Sequence, residues 1–271
     1  MTSCVNSLPE RRARGFTLLE MAIVVFVIGM LTAGLIGPVQ TQLEARDRQQ
    51  TRDYLARAAE ALYGFAMTER RLPCPSRDGD GHSDPIYATP ADGNCEVESG
   101  YLPWAELGIE PADAWGNLVS YRVREREFTV PAQNTACDGD TANELDLCAR
   151  GDIVIETRGD NAATGGVEAK FRFGAAAADN VAAVLVSHGR NGYGALGVDG
   201  VPRAPVPNSN RDEDENADGD ENFISRGYTR EQDGCSDDTD ESSPLCEFDD
   251  MVQPIARSLL VSRLVSAGQL P

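Results

Sequence analysis

Apolar residues along this chain follow three successive patterns. From 16 to 36 they form a run dominated by Leu, Ile, Val, Met and Phe, and about 20 such residues are enough to cross a bilayer. From 41 to about 69 they recur every three or four positions. Tyr54, Leu55, Ala58, Leu62, Phe65 and Ala66 share one face, and Arg52, Arg57, Glu60 and Glu69 fall elsewhere. That spacing predicts an amphipathic helix that continues the first run and lays its apolar face on a globular head. The prolines of Leu72-Pro73-Cys74-Pro75 end it. Beyond them the period shortens. Strands are expected at 118–124, 127–130, 152–158, 167–173 and 181–187, in alternating or Val-rich runs. No helical pattern separates these strands, so a parallel doubly wound sheet is disfavoured. The fold class is α+β: a long N-terminal helix on a mostly antiparallel sheet. Near the end Met251, Val252, Ile255, Ala256, Leu259, Leu260 and Leu264 return to helical spacing, with Asp249 and Asp250 placed to open a closing helix.

Charge adds direction. Arg11, Arg12 and Arg14 precede the apolar run, and mixed charge follows it, which sets the N-terminus in the cytoplasm and the remainder outside. Gly34, Gly37 and Pro38 fall near the outer end, where a proline bends a helix. Glu20 lies within the run, where a carboxylate costs about 2.5–3.5 kcal/mol on insertion scales. The order Gly15-Phe16-Thr17-Leu18-Leu19-Glu20 after a basic leader resembles the processing site of type IV pilins and of type II secretion pseudopilins. The resemblance implies cleavage by a prepilin peptidase between Gly15 and Phe16 and N-methylation of Phe16. It also implies that Glu20 pairs with the Phe16 amine of a neighbouring subunit during assembly. A plain signal anchor, with Glu20 snorkelling or protonated, is the bland alternative.

The net charge of −20 argues against nucleic acid as a partner, since phosphate binding needs a basic surface. Of the seven cysteines, Cys4 lies in the leader. The other six form an even set on the side of the membrane where disulfides persist. Proximity suggests Cys74–Cys95, Cys137–Cys148 and Cys235–Cys246, each closing a polar loop. No Cys-x-x-Cys occurs, so zinc is disfavoured.

Asp113-Ala114-Trp115-Gly116-Asn117 resembles the Asp-Pro-Trp-Gly-Asn stretch of major pseudopilins, which opens their sheet; Ala114 departs from the proline there. Gly189-Arg190-Asn191-Gly192-Tyr193-Gly194 is glycine-rich, but the Lys-Ser/Thr and helix of a phosphate loop are missing. Ser187-His188 lacks a nucleophile elbow, and neighbours on a strand face opposite ways. No enzymatic activity is expected.

Two acidic stretches could hold a hard cation. Asp78, Asp80 and Asp84 alternate with small residues. Within the acidic loop 208–250, Asp214-Glu215-Asn216-Ala217-Asp218-Gly219 matches the opening of an EF-hand, but Ser225 stands where the final Glu belongs. Asp214, Asn216 and Asp218 are the candidate calcium ligands, the alternative being a solvated acidic loop. Major pseudopilins hold calcium late in the head, but their ligand pattern does not align here and no residue carries over.

The sequence therefore divides into a leader (1–15), an N-terminal helix (16–69, with 16–37 transmembrane) and an extracytoplasmic head (70–271). The expected protein is a single-pass inner-membrane subunit of a pilus or type II secretion filament, a minor one given its large head. Its partners would be the prepilin peptidase and other pilin subunits. The alternative is a tethered periplasmic calcium-binding protein that is never assembled.

Overall fold

The computed structural model describes residues 17–85, 94–132, 145–161, 166–173, 181–237 and 243–271, without the side chains of 32–40, 157–161 and 166–173. Two compact units are present, Met1–Arg46 and Asp47–Pro271.

Helix α1 runs over Leu18–Glu69. In the first unit its large apolar side chains from Leu18 to Leu31 are exposed. Among the described residues no helix is long and apolar enough to cross a membrane. The expected span 16–37 includes Phe16 and the side chains of 32–37, which lie outside those described, as do the side chains at the expected bend of Gly34, Gly37 and Pro38.

In the second unit the predicted stripe is buried except at Phe65, which is half-buried. Tyr54, Leu55, Ala58, Leu62 and Ala66 pack with Tyr121, Leu185, Ile255, Leu260 and Leu264. Strands β1 (Ser99–Tyr101), β2 (Ser120–Val123), β5 (Val181–Ser187) and β7 (Met251–Ala256) make one sheet in the order β1-β2-β5-β7. All of its pairings are antiparallel. Strands β3 (Val154–Asn161), β4 (Gly166–Phe173) and β6 (Asn222–Ile224) make a second sheet, antiparallel between β3 and β4 and parallel between β3 and β6. Every residue of β5 is buried. Ala183 and Leu185 belong to the core that includes α1, whereas Val181, Val184 and Val186 pack with Ile153, Ile155 and Phe223. A strand covered on both faces needs a continuous apolar run rather than alternation, and Val-Ala-Ala-Val-Leu-Val is one.

The α+β expectation and the closing helix hold, but three details are corrected. The closing helix, α4, occupies Arg257–Ser266. Residues 251–256, expected to be its first turns, are strand β7, because β5 presents an edge that Met251–Ala256 pairs along. Pro254 stands there opposite Val184, a position tolerated because β7 is an edge strand. Residues 127–130 belong to a turn rather than a strand. Arg126 has left-handed backbone (φ 67), and Thr129 Oγ1 accepts its N–H. Finally, the acidic segment contains helix α3 (Arg211–Ala217) and β6 as well as loop. The short helix α2 (Trp104–Leu107) completes the elements among the described residues.

Two expected disulfides form, Cys74–Cys95 and Cys235–Cys246, with Cα separations of 5.4 and 4.8 Å. Cys148 is also disulfide-bonded; Cys137, its expected partner, lies outside the described residues, as does Cys4.

Candidate functional site

Gly15 and Phe16 lie outside the described residues. Glu20 stands in the first turn of α1 and is exposed. Thr17 and Glu20 cap that turn reciprocally: the Glu20 N–H donates to Thr17 Oγ1 at 3.2 Å, and the Thr17 N–H reaches Glu20 Oε2 at 3.4 Å. This Ser/Thr-x-x-Glu capping box satisfies backbone donors that a helix start otherwise leaves open. Its sequence signature was present in Thr17-Leu18-Leu19-Glu20 beside the processing motif.

The three expected calcium ligands do not converge. Asp214 and Asp218 are exposed, and Asp218 Oδ1 accepts the Asp220 N–H. Asn216 is buried. Its amide donates to the Ile224 carbonyl and to Asp250 Oδ2 and accepts the Ile224 N–H, so it fastens α3 to β6. In the earlier acidic stretch Asp78, Asp80 and Asp84 accept hydrogen bonds from neighbouring backbone N–H groups, as a self-closing turn does.

Burial instead brings together acids that the sequence reading placed apart. Asp212 and Glu213, adjacent on α3, are both fully buried, and Asp237, Asp249 and Asp250 are buried with them. They form two groups. In the first, Arg226 reaches Asp212 at 2.6 Å and Asp237 at 3.4 Å. Its guanidinium also donates to Thr229 Oγ1 and the Cys246 carbonyl and lies 4.5 Å from the Phe248 ring centroid.

In the second group Glu213, Asp249 and Asp250 each offer a carboxylate oxygen, all within 4.8 Å of one another. Among the described residues, the groups that hydrogen-bond them are neutral. Asn191 Nδ2 donates to both Glu213 oxygens, and Asn210 Nδ2 and the Asp249 N–H also donate to Glu213. Asp249 Oδ2 accepts the N–H groups of Arg190 and Asn191. Asp249 Oδ1 and Asp250 Oδ1 are buried without a hydrogen-bond partner. Burial, and then the Asp250 charge, push the Glu213 carboxyl up to about 9. Burial, partly opposed by the Asn191 N–H, pushes Asp249 up to about 7. Gly189 makes the approach of Asp249 possible: at φ +59, a Cβ there would lie 2.1 Å from Asp249 Oδ1.

The Asp113–Asn117 stretch organises the same end of the sheet. Asp113 Oδ1 accepts the N–H groups of Trp115 and Asn117, and its Oδ2 accepts the Ser187 hydroxyl at 2.7 Å. Asn117 Nδ2 donates to the Gly189 carbonyl. His188 Nε2 lies 2.9 Å from Ser120 Oγ, and its Nδ1 lies 3.8 Å from Asp250 Oδ1. The order Ser–His–Asp is that of a hydrolase triad, but 3.8 Å is not a hydrogen bond. The cavity lined by Ser120 holds about 30 Å³, room for about one water and for no substrate.

Sequence reasoning missed Glu213, Asp249 and Asp250 as a group. The available signal is Phe248-Asp249-Asp250-Met251-Val252, two acids set between apolar residues, a pattern that also suits a helix start.

Residues 11–36 match a family model described as the prokaryotic N-terminal methylation motif. No curated protein and no solved structure matches the chain. The match covers the N-terminal segment alone, from the basic leader through Gly15, Phe16 and Glu20.

Proposed function

We propose that this chain is a structural subunit, a minor pilin or pseudopilin, of a type IV pilus or type II secretion filament. The observation that carries the reading is the methylation motif over residues 11–36, with Gly15, Phe16 and Glu20 in the order that processing and assembly require. Prepilin peptidase cuts after Gly15 on the cytoplasmic side, Phe16 becomes the methylated N-terminus, and the apolar segment anchors the chain in the inner membrane with its head in the periplasm. The exposed apolar side chains of α1 support an apolar environment there: Leu18 is 89% and Phe26 71% accessible. In a filament core, Glu20 meets the Phe16 amine of a neighbour, which offsets the cost of a carboxylate in that setting. The head contributes surface rather than catalysis.

Mass spectrometry of membrane-extracted protein from cells with an active prepilin peptidase is expected to show a chain that begins at N-methylated Phe16. A chain that still carries Met1–Gly15 would sink the proposal. Glu20→Val is expected to insert and be processed normally, because the span becomes more apolar, yet to be lost from sheared filaments. Incorporation equal to wild type would remove the pairing role. The buried carboxylates favour a second reading, a tethered periplasmic metal-binding protein. Correct processing without any incorporation of the wild-type chain into filaments would select it.

A further inference from the structure

The carboxylates of Glu213, Asp249 and Asp250 come from two places 36 positions apart in the chain and meet beneath the surface. Three oxygens no more than 4.8 Å apart share a central point within about 2.8 Å of each, close to the 2.3–2.6 Å of a calcium–oxygen contact. We propose that these three residues bind one hard divalent cation, calcium, at a site separate from the exposed Asp214 and Asp218.

Four observations carry this. First, the set is all oxygen, which suits calcium or magnesium rather than a soft transition metal. Second, Asp249 Oδ1 and Asp250 Oδ1 are buried and have no hydrogen-bond partner, although such oxygens are costly to leave bare. Third, His188, 1% exposed, has an unpartnered Nδ1 that faces Asp250 Oδ1 at 3.8 Å. A second polar group thus points at the same carboxylate from the end of β5. Fourth, the carboxylates are already oriented: both Glu213 oxygens and the Oδ2 atoms of Asp249 and Asp250 accept hydrogen bonds. Asn191, Asn210, Asn216 and three backbone N–H groups fix the carboxylates from outside, as outer-shell donors orient metal ligands. Calcium fits better than magnesium, because magnesium demands near-octahedral geometry and keeps several waters. The cation would tie α3 to the start of β7 and so close the acidic segment onto the sheet. The site stands on head residues alone and does not depend on how the N-terminus is processed or assembled.

The test uses the full chain in detergent micelles, stripped with a chelator and dialysed against calcium alone at pH 7.5. Equilibrium dialysis is expected to find one calcium per chain at millimolar concentration. Glu213→Gln and Asp250→Asn keep side-chain size and should each weaken binding at least about tenfold, the loss that even outer-shell changes cause. Asp214→Ala/Asp218→Ala should bind as wild type does. Absence of bound calcium in the wild type, unchanged binding in Glu213→Gln and Asp250→Asn, or loss only in the Asp214/Asp218 pair would each overturn the site. Should circular dichroism show that the two buried variants do not fold, terbium bound to the wild type decides. Its luminescence lifetimes in light and heavy water should report about three waters fewer than the free ion carries, since three carboxylate oxygens replace them. A nearly complete shell would place the ion on the surface and end the proposal.

Discussion

Asp212 and Glu213 are neighbours on one short helix, and both are fully buried, yet their surroundings are opposite. Asp212 meets Arg226, which also holds Asp237, so two carboxylates share one guanidinium supplied by the fold. Glu213 meets Asp249 and Asp250, and its hydrogen-bond donors are amides. Amides orient a carboxylate but do not neutralise it. The first group holds a permanent positive charge from its own chain, whereas the second, among the described residues, faces amides and His188. Position on the same helix therefore does not decide how a buried acid is balanced; what matters is which loop comes back to cover it. The loop through Arg226 brings a base, and the residues before β7 bring more acid.

The sharpest way to break the contrast is Arg226→Met. It preserves much of the packing over Phe248 but removes the cation between Asp212 and Asp237. Stripping one partner from a buried ion pair costs about 3–5 kcal/mol, and urea unfolding of the full chain in micelles should register a loss of that size. A change below about 1 kcal/mol would mean that the two acids are balanced some other way.

Next is Cys235→Ser/Cys246→Ser. This bridge closes an 11-residue separation that carries Asp237 to Arg226, and Asp237 Oδ1 accepts the Cys246 N–H. The expected loss is about 2–4 kcal/mol. It should be less than additive with Arg226→Met, since both act on one network. Full additivity would separate the bridge from the ion pair.

The second group answers to pH. With calcium chelated, the folded protein holds protons on Glu213 up to about 9 and on Asp249 up to about 7. The unfolded chain releases them at ordinary carboxylate values, so between those limits the folded state binds more protons. Stability is therefore expected to fall as pH rises from about 5 toward 9, and Glu213→Gln should flatten the decline. Facing these groups are Asp250, Glu247, His188 and the backbone of Arg190 and Asn191. Thermal unfolding in chelator across that range is the measurement, and a level wild-type profile would show that the trio is already neutralised within the fold.

The smallest effect belongs to Asp214→Ala/Asp218→Ala. Both side chains are exposed, and surface substitutions usually stay within about 0.5 kcal/mol. A larger loss in calorimetry would give these two acids a part in the head that their exposure does not suggest.

Much of the frame was readable in the residues. The stripe from Tyr54 to Ala66, Phe65 apart, and the Val-rich run at β5 bury what their periods say they should. The disulfides at Cys74–Cys95 and Cys235–Cys246 follow nearest-neighbour pairing. The acidic segment was legible only as local pattern. Asp214, Asn216 and Asp218 alternate as loop ligands do, but once α3 forms, Asn216 turns inward and the two acids outward. Met251–Ala256 shows the same limit. Its spacing suits a helix, and only the waiting edge of β5, set by long-range pairing, makes it a strand. The carboxylate trio needed both of these events, which is why no local pattern announced it.

Pro254 has a further consequence at the outer margin of the sheet. An edge strand offers its free backbone groups to any other chain that comes alongside. Because a proline has no N–H, β7 has one donor fewer to offer midway along its six residues. Heads crowded at high local concentration, on a membrane or along a fibre, would find that zipper missing a tooth. Sheet-to-sheet fusion between copies is thereby discouraged.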